Sequence, residues 1–126
     1  QGLDVVAVFV GLHADVVADP VGVTLVPPPG VPKHGDGDLL ELVLRWVRPG
    51  CRWQVTAIGR REAWRLHRRA AELGGSLRTG LEDTFYLPDG SKARGNGELI
   101  EAIVKLAREA GREIASPAET RELLSI

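Results

Sequence analysis

Short apolar runs alternate along this chain with longer stretches in which apolar positions recur at helical spacing. Residues 4–10 and 22–26 are continuous apolar runs rich in β-branched side chains, a pattern typical of strands buried on both faces. Residues 53–58 and 76–79 predict a third and a fourth strand. Three prolines at 27–29 end the second strand, because proline cannot donate to a β-ladder.

Helices are predicted between and after these strands. Residues 39–47 follow the candidate cap Asp38, residues 61–73 end at a glycine pair, and a third helix follows the candidate cap Asn96. The last helix starts with a capping box at residues 116–119. The three tryptophans, Trp46, Trp53 and Trp64, fall on predicted core faces.

Strand and helix alternate through about four βα units, which predicts an α/β fold with a parallel sheet and right-handed crossovers. A barrel of eight such units takes about 250 residues, and this chain is close to half of that. We therefore expect residues 1–126 to form a single domain, of a size that corresponds to about half of such a barrel. A four-stranded parallel sheet cannot close on itself, so it either keeps an open edge or pairs with another half.

Net charge, apolar content and cysteine count exclude several classes of protein. The 126 residues carry a formal net charge of −1, which predicts neither nucleic-acid binding nor attraction to an anionic membrane. No apolar run approaches the roughly 20 residues of a membrane span, and we expect no signal peptide. The single cysteine, Cys51, excludes an internal disulfide and fits a reducing, cytoplasmic location.

The densest polar cluster follows the fourth predicted strand, where parallel βα folds gather their catalytic groups. It contains Arg78, Glu82 and Asp83, which offer a cation, a hard oxygen ligand and a base. As a bare pattern, an acidic pair in a loop is more often a solvated turn, so spacing alone leaves both readings open.

A resemblance adds weight to the functional reading. Residues 78–90, with Ala93, Asn96, residues 98–100, residues 111–119 and Arg121, look like the carboxyl-terminal signature of the β-keto acid cleavage enzymes. These include the 3-keto-5-aminohexanoate cleavage enzyme of lysine fermentation. The likeness covers residues 53–126 and is weak before that. It implies the carboxyl-terminal half of a zinc-dependent (β/α)₈ TIM barrel that condenses a β-keto acid with acetyl-CoA, giving acetoacetate and a new CoA thioester.

The resemblance also implies roles for three residues. Glu82 matches the family's metal-binding carboxylate, Asp83 its catalytic base and Arg78 the arginine that orients and tunes that base. The chemistry is coherent, since zinc polarises a carbonyl and an aspartate beside a cation is expected to stay ionised. The alternative for Arg78 is a salt bridge that closes the mouth of the barrel.

The metal site departs from the family pattern. The family's other two ligands are a His-x-His pair on an early strand, whereas His13, His34 and His67 are isolated in this sequence. Catalytic zinc needs about three protein ligands and an open position. We interpret His67 as structural and His13 and His34 as surface residues, so the zinc ligand set of this chain is incomplete.

Five arginines lie between residues 60 and 69, and most of them are expected on a solvated helix face. Arg60 and Arg61 differ, because they stand between a strand end and a helix amino terminus, where anions are favoured. Our hypothesis is that they assist the phosphates of the CoA moiety.

Two alternatives to the enzyme remain. One is a catalytically silent half-barrel that acts as an assembly or binding module. The other is a homo-oligomer in which two copies complete one eight-stranded barrel. The identity of the β-keto acid does not follow from the sequence.

Overall fold

A computed structural model describes residues 5–6, 8–10, 20–25, 36–47 and 49–125 of the protein. Its strands are β1 (Val5–Val6), β2 (Val8–Val10), β3 (Pro20–Leu25), β4 (Arg52–Ala57), β5 (Ser76–Thr79) and β6 (Glu113–Ile114). Its helices are α1 (Asp36–Leu44), α2 (Arg61–Glu72), α3 (Asn96–Glu109) and α4 (Pro117–Leu124). Residues 11–19, between the first two predicted strands, and the proline run at 27–29 lie outside the described residues.

The strands pair in parallel. Those in the larger sheet follow the order β2-β5-β4-β3, and β1 pairs with β6 separately. Within these residues the prediction of an α/β fold with parallel strands is confirmed, while the half-barrel stays a prediction. In register, Arg78 of β5 lies between Phe9 of β2 and Thr56 of β4. The strand that leads to the acidic pair is therefore internal to the sheet.

One face of the sheet is covered by helices. Val55 of β4 and Leu77 of β5 are fully buried against α2 and α3 in a cluster that also includes Leu40, Ala57, Ala63, Trp64, Leu66, Ala70, Ala71, Leu99, Ile103, Leu106 and Ala107. Because side chains alternate along a strand, Thr56 and Arg78 lie on the opposite face. Arg78 therefore lies on the face of the sheet opposite to α2 and α3.

Arg112 links the end of α2 to the start of β5. Its guanidinium is buried, and Nη1 donates to the carbonyl of Ala71 at 2.8 Å and to that of Gly75 at 3.3 Å. The helix end and the strand start are also joined by the Gly75 amide, which donates to the Ala70 carbonyl at 2.9 Å. This short connection fixes where β5 begins and hence where Arg78 emerges.

Several local predictions differ from the structure. Helix α1 starts at Asp36, ahead of the candidate cap Asp38, and ends at Leu44. Trp46 therefore lies in the following turn with 79% of its surface exposed, which contradicts its placement in the core. Trp64 is buried, and Trp53 is half-buried against the core. Strand β6 was not predicted, because a pair of residues is too short to show a period.

The predicted cap at Asn96 is also wrong, whereas that at Ser116 is confirmed. Gly95 occupies the N-cap of α3, and Asn96 is the first helical residue. At α4, the Ser116 hydroxyl accepts from the Glu119 amide and the Glu119 carboxylate accepts from the Ser116 amide. The search of the described residues found no helix of sufficient length and apolarity for a bilayer span.

Candidate functional site

A tight turn after β5 carries the acidic pair. The amides of Asp83 and Thr84 both donate to the Gly80 carbonyl at 3.0 Å, which curls the chain back immediately after the strand. The side chains of Glu82 and Asp83 therefore return toward Arg78, the penultimate residue of β5. The sequence placed these three residues at one strand end, and the structure brings them together.

Arg78 bridges the two carboxylates. Its Nη2 donates to Oε1 of Glu82, and its Nε lies 3.6 Å from Oδ2 of Asp83. The first contact is a charge-assisted hydrogen bond, whereas the second is an ion pair without hydrogen-bond geometry. The guanidinium is thus committed more closely to Glu82 than to the base that it was expected to tune.

The two acids occupy different environments. The Glu82 side chain is 45% exposed and that of Asp83 is 6% exposed. Burial raises the pKa of Asp83, the charge of Glu82 raises it further, and Arg78 opposes both effects. Arg78 thus lowers the pKa of Asp83, but loss of solvation outweighs this attraction and the net shift is upward. A carboxylate with a raised pKa is a stronger base.

Oδ2 of Asp83 is the atom best placed for proton transfer. It is buried and accepts no hydrogen bond from the described residues. A buried carboxylate oxygen that accepts no hydrogen bond is costly in a purely structural position, so it is typical of groups that meet a ligand. This favours a functional interpretation of the pair over a solvated turn.

The described residues do not fit a zinc ion. They contain no group of three or more histidine, cysteine, aspartate or glutamate side chains able to hold a metal. Glu82 supplies one carboxylate, and that carboxylate is already paired with Arg78. His13 and His34 lie outside the described residues. His67 lies in the core on α2 beside Trp64, and burial lowers its pKa to about 4.

Arg60 and Arg61 follow β4, and they line a hollow of about 480 Å³ with Glu62, Arg65, Asp89 and Gly90. The Arg60 guanidinium lies 4.2 Å above the Tyr86 ring and donates to the Tyr86 hydroxyl at 2.8 Å. Its backbone amide donates to Oε2 of Glu62 at 3.2 Å. One amide at the start of α2 is therefore already satisfied, and the basic side chains remain as the groups suited to an anion.

The larger of the two hollows described, about 790 Å³, lies between α2 and α3. Arg61, Arg65 and Arg68 line one side, and Glu98, Glu101 and Glu109 line the other. Arg68 and Glu109 meet across it at 3.0 Å. Glu82 and Asp83 line neither of these two hollows.

Hydrogen bonds that sequence reasoning missed hold the turn in place. The Thr84 hydroxyl donates to the Gly59 carbonyl at 2.7 Å, and Oδ1 of Asn96 accepts from the Leu81 amide at 2.8 Å. The indole Nε1 of Trp64 donates to the Tyr86 carbonyl at 2.9 Å. The polar residues next to the acidic pair were the available signal, but their partners are 15–25 residues away in sequence.

Comparisons with known proteins give a family match and several relatives. The sequence model of the family described as beta-keto acid cleavage enzyme matches residues 11–126. A 3-keto-5-aminohexanoate cleavage enzyme of Fusobacterium nucleatum subsp. nucleatum is 44% identical over 97 residues, covering 77% of this chain and 35% of that protein. The enzyme of the same name from Acetoanaerobium sticklandii is 44% identical over 72 residues, covering 57% of this chain and 26% of that protein.

A relative named for a different activity also matches. A 3-oxoadipate:acetyl-CoA acetyltransferase of Cupriavidus necator is 37% identical over 83 residues, which are 66% of this chain and 29% of that protein. The chain thus spans between 26% and 35% of the length of these three curated relatives.

Proposed function

The chain belongs to the beta-keto acid cleavage enzyme family, and from that premise we propose that it takes part in acetyl-CoA-dependent cleavage of a β-keto acid. The β-keto acid and acetyl-CoA react to give acetoacetate and the CoA thioester of the remaining acyl group. The names of the matched relatives support this general reaction. The carboxyl-terminal half of a TIM barrel, formed by residues 1–126 as one partial domain, is part of the same proposal.

The observation that carries the proposal is the burial of Asp83 beside Arg78. Asp83 acts as the base, because its Oδ2 accepts no hydrogen bond from the described residues and its pKa is raised by burial. Arg78 holds both carboxylates at the strand end and limits the repulsion between them. Proton transfer by a positioned group of this kind contributes about 10²–10⁴-fold to a rate.

Glu82 is the proposed metal-binding carboxylate, and it would need to exchange its contact with Arg78 for the ion. The remaining ligands of a zinc ion are not found among the described residues. No step of the reaction is therefore assigned to zinc.

Arg60 and Arg61 are proposed to contact phosphates of the CoA moiety. They line one hollow together with Arg65, and no acidic partner for the Arg61 or Arg65 side chain is seen in the described part of the chain. Tyr86 holds the Arg60 guanidinium through its ring and its hydroxyl, and Arg60 has no ion pair with an acidic residue in the described ranges. A preorganised guanidinium loses less entropy when it binds a phosphate.

The physiological setting is also proposed from the resemblance. We place the protein in the cytoplasm, in amino-acid catabolism of the lysine-fermentation type, as a homo-oligomer. The relatives' names suggest 3-keto-5-aminohexanoate and 3-oxoadipate as the first β-keto acids to test.

The test is formation of CoA thioester from acetyl-CoA and each β-keto acid, with and without added zinc. The Asp83→Asn variant is expected to lose at least about 100-fold in kcat, within the range for removal of a general base. Glu122→Gln, an exposed acid on α4, is the matched control and is expected to retain activity. Equal rates for Asp83→Asn and the parent chain would refute the role of Asp83.

A silent binding module is the second candidate function, favoured by the absence of a complete set of metal ligands from the described part of the chain. It predicts acetyl-CoA binding by calorimetry, weakened in Arg60→Ala/Arg61→Ala, without turnover of either β-keto acid. Sedimentation velocity over a range of concentrations tests the oligomer, since two copies that complete one barrel would sediment as a dimer.

A further inference from the structure

One buried hydroxyl joins the turn that carries the acidic pair to the loop that follows β4. Oγ1 of Thr84 donates to the Gly59 carbonyl at 2.7 Å and accepts from the Tyr86 amide at 3.2 Å. Thr84 is 4% exposed and directly follows Asp83. The hydrogen bond to Gly59 spans 25 residues of sequence, so it is a tertiary hydrogen bond and not a contact within the turn.

Both partners of this hydroxyl are held from their other sides. Gly59 has φ of +149°, a conformation rare for other residues, so glycine sets the direction of its carbonyl. Tyr86 is fixed at its carbonyl by Nε1 of Trp64 at 2.9 Å, and its ring lies under Arg60. The Thr84 hydroxyl therefore binds an acceptor, the Gly59 carbonyl, and a donor, the Tyr86 amide, whose positions are fixed by other contacts.

We infer that Thr84 is a positioning residue for Asp83, and that its hydroxyl sets the turn after β5 against the loop after β4. This inference rests on the proposed cleavage reaction only for its kinetic consequence. The amides of Asp83 and Thr84 share the Gly80 carbonyl, so a displacement of Thr84 moves the Asp83 carboxylate relative to Arg78.

The hydrogen bonds of Thr84 also link the acidic pair to the arginines that line the smaller hollow. From Thr84 the hydrogen bonds run to the Tyr86 amide, and the Tyr86 side chain holds the Arg60 guanidinium. The β4–α2 loop and the β5–α3 loop thus carry the proposed phosphate-binding group and the proposed base in one fixed geometry. A small misplacement of a reacting group reduces the rate steeply, by about 10²-fold for 1 Å.

The test compares two substitutions of Thr84. Thr84→Val keeps the shape and removes the hydroxyl, whereas Thr84→Ser keeps the hydroxyl and removes a methyl group. Thr79→Val is the matched control, because Thr79 is also buried and its hydroxyl has no hydrogen-bond partner among the described residues. Loss of that hydroxyl is expected to leave kcat unchanged.

The kinetic readout is kcat separated from KM in the thioester assay. Thr84→Val is expected to lower kcat about 10- to 100-fold, with KM for the β-keto acid within about twofold, because base placement and not ground-state binding of that substrate is disturbed. Thr84→Ser is expected to restore most of kcat. A Thr84→Val variant that matches Thr79→Val in kcat would overturn the inference.

Amide hydrogen exchange supplies a readout that does not need turnover. In Thr84→Val, exchange at Asp83 and Thr84 is expected to rise at least about tenfold, while that at Val55 and Leu77 stays at the parent rate. If the parent catalyses no cleavage, the proposed function fails, and the exchange comparison still decides whether Thr84 holds the turn. Unchanged exchange at Asp83 would overturn the inference whatever the activity.

Discussion

Gly75 is the position at which a single methyl group should do most damage to the strand that carries Arg78. A Cβ added at Gly75 would lie 2.3 Å from Cζ3 and 2.5 Å from Cη2 of the Trp53 ring. Ordinary contact between carbon atoms is about 3.5–4.0 Å, so the ring or the strand must move by more than about 1 Å. The backbone of Gly75 does not require a positive φ, and the effect of Gly75→Ala is therefore steric.

Neither partner has room to move freely. The Gly75 amide donates to Ala70 at 2.9 Å, its carbonyl accepts from the buried Arg112 at 3.3 Å, and Trp53 packs against the core. Overpacking of this kind costs about 1–3 kcal/mol. With a urea dependence of about 2 kcal/mol per molar, the unfolding midpoint of Gly75→Ala should fall by about 0.5–1.5 M. Far-UV circular dichroism measures this without relying on Trp53 fluorescence.

Two further variants make the test specific. Gly97→Ala adds the same methyl group in the first turn of α3, where nothing lies within 4 Å of the new Cβ. It should stabilise the helix by up to about 1 kcal/mol. Trp53→Leu removes the ring, so the effect of Gly75→Ala should be smaller in that background. If Gly75→Ala unfolds at the same urea concentration as the parent, the steric argument is refuted.

Two buried ionisable groups and one helix cap support the remaining predictions. Burial raises the pKa of Asp83, so just above the ordinary pKa of aspartate the folded protein still holds a proton that the unfolded chain has released. The free energy of unfolding of the parent protein therefore falls as pH rises through this range. Asp83→Asn should lack this fall in metal-free urea titrations, and parallel curves would contradict the prediction. Burial lowers the pKa of His67 to about 4, so stability should fall as pH decreases from 6.5 toward about 4. His67→Leu should remove that slope, and an unchanged slope would count against it. Ser116→Ala breaks the capping box with Glu119 and should lose about 1 kcal/mol in thermal or urea unfolding, whereas no loss would show that α4 does not contribute to the measured stability.

The elements with a strong period were predictable from the sequence. Helix α2 and strand β5 occur within a residue of their predicted bounds, since a clear apolar stripe and a glycine pair mark them. The Ser116 capping box is local, and its side chains find their partners three residues away. Pattern and short-range hydrogen bonding suffice for such features.

Features decided by distant partners were not predictable. Asn96 has the side chain of a cap, yet it binds the amide of Leu81, fifteen residues earlier in the chain. Trp46 has helical spacing, but α1 ends before it. The proximity of Arg78, Glu82 and Asp83 was predictable, whereas the closer pairing of Arg78 with Glu82 and the direction of the Asp83 pKa depend on three-dimensional burial.

The pairing of β2 with β5 has a consequence for the order in which the molecule assembles. Val8 to Val10 lie beside Leu77 to Thr79. Strand β2 is therefore synthesised about seventy residues before the strand with which it pairs. Contacts of such long sequence separation are slow to form. Until they form, one edge of β5 presents unpaired amide and carbonyl groups that can recruit a foreign strand. Chains in which β5 has been made but has not yet paired with β2 are therefore expected to be the species most dependent on chaperones.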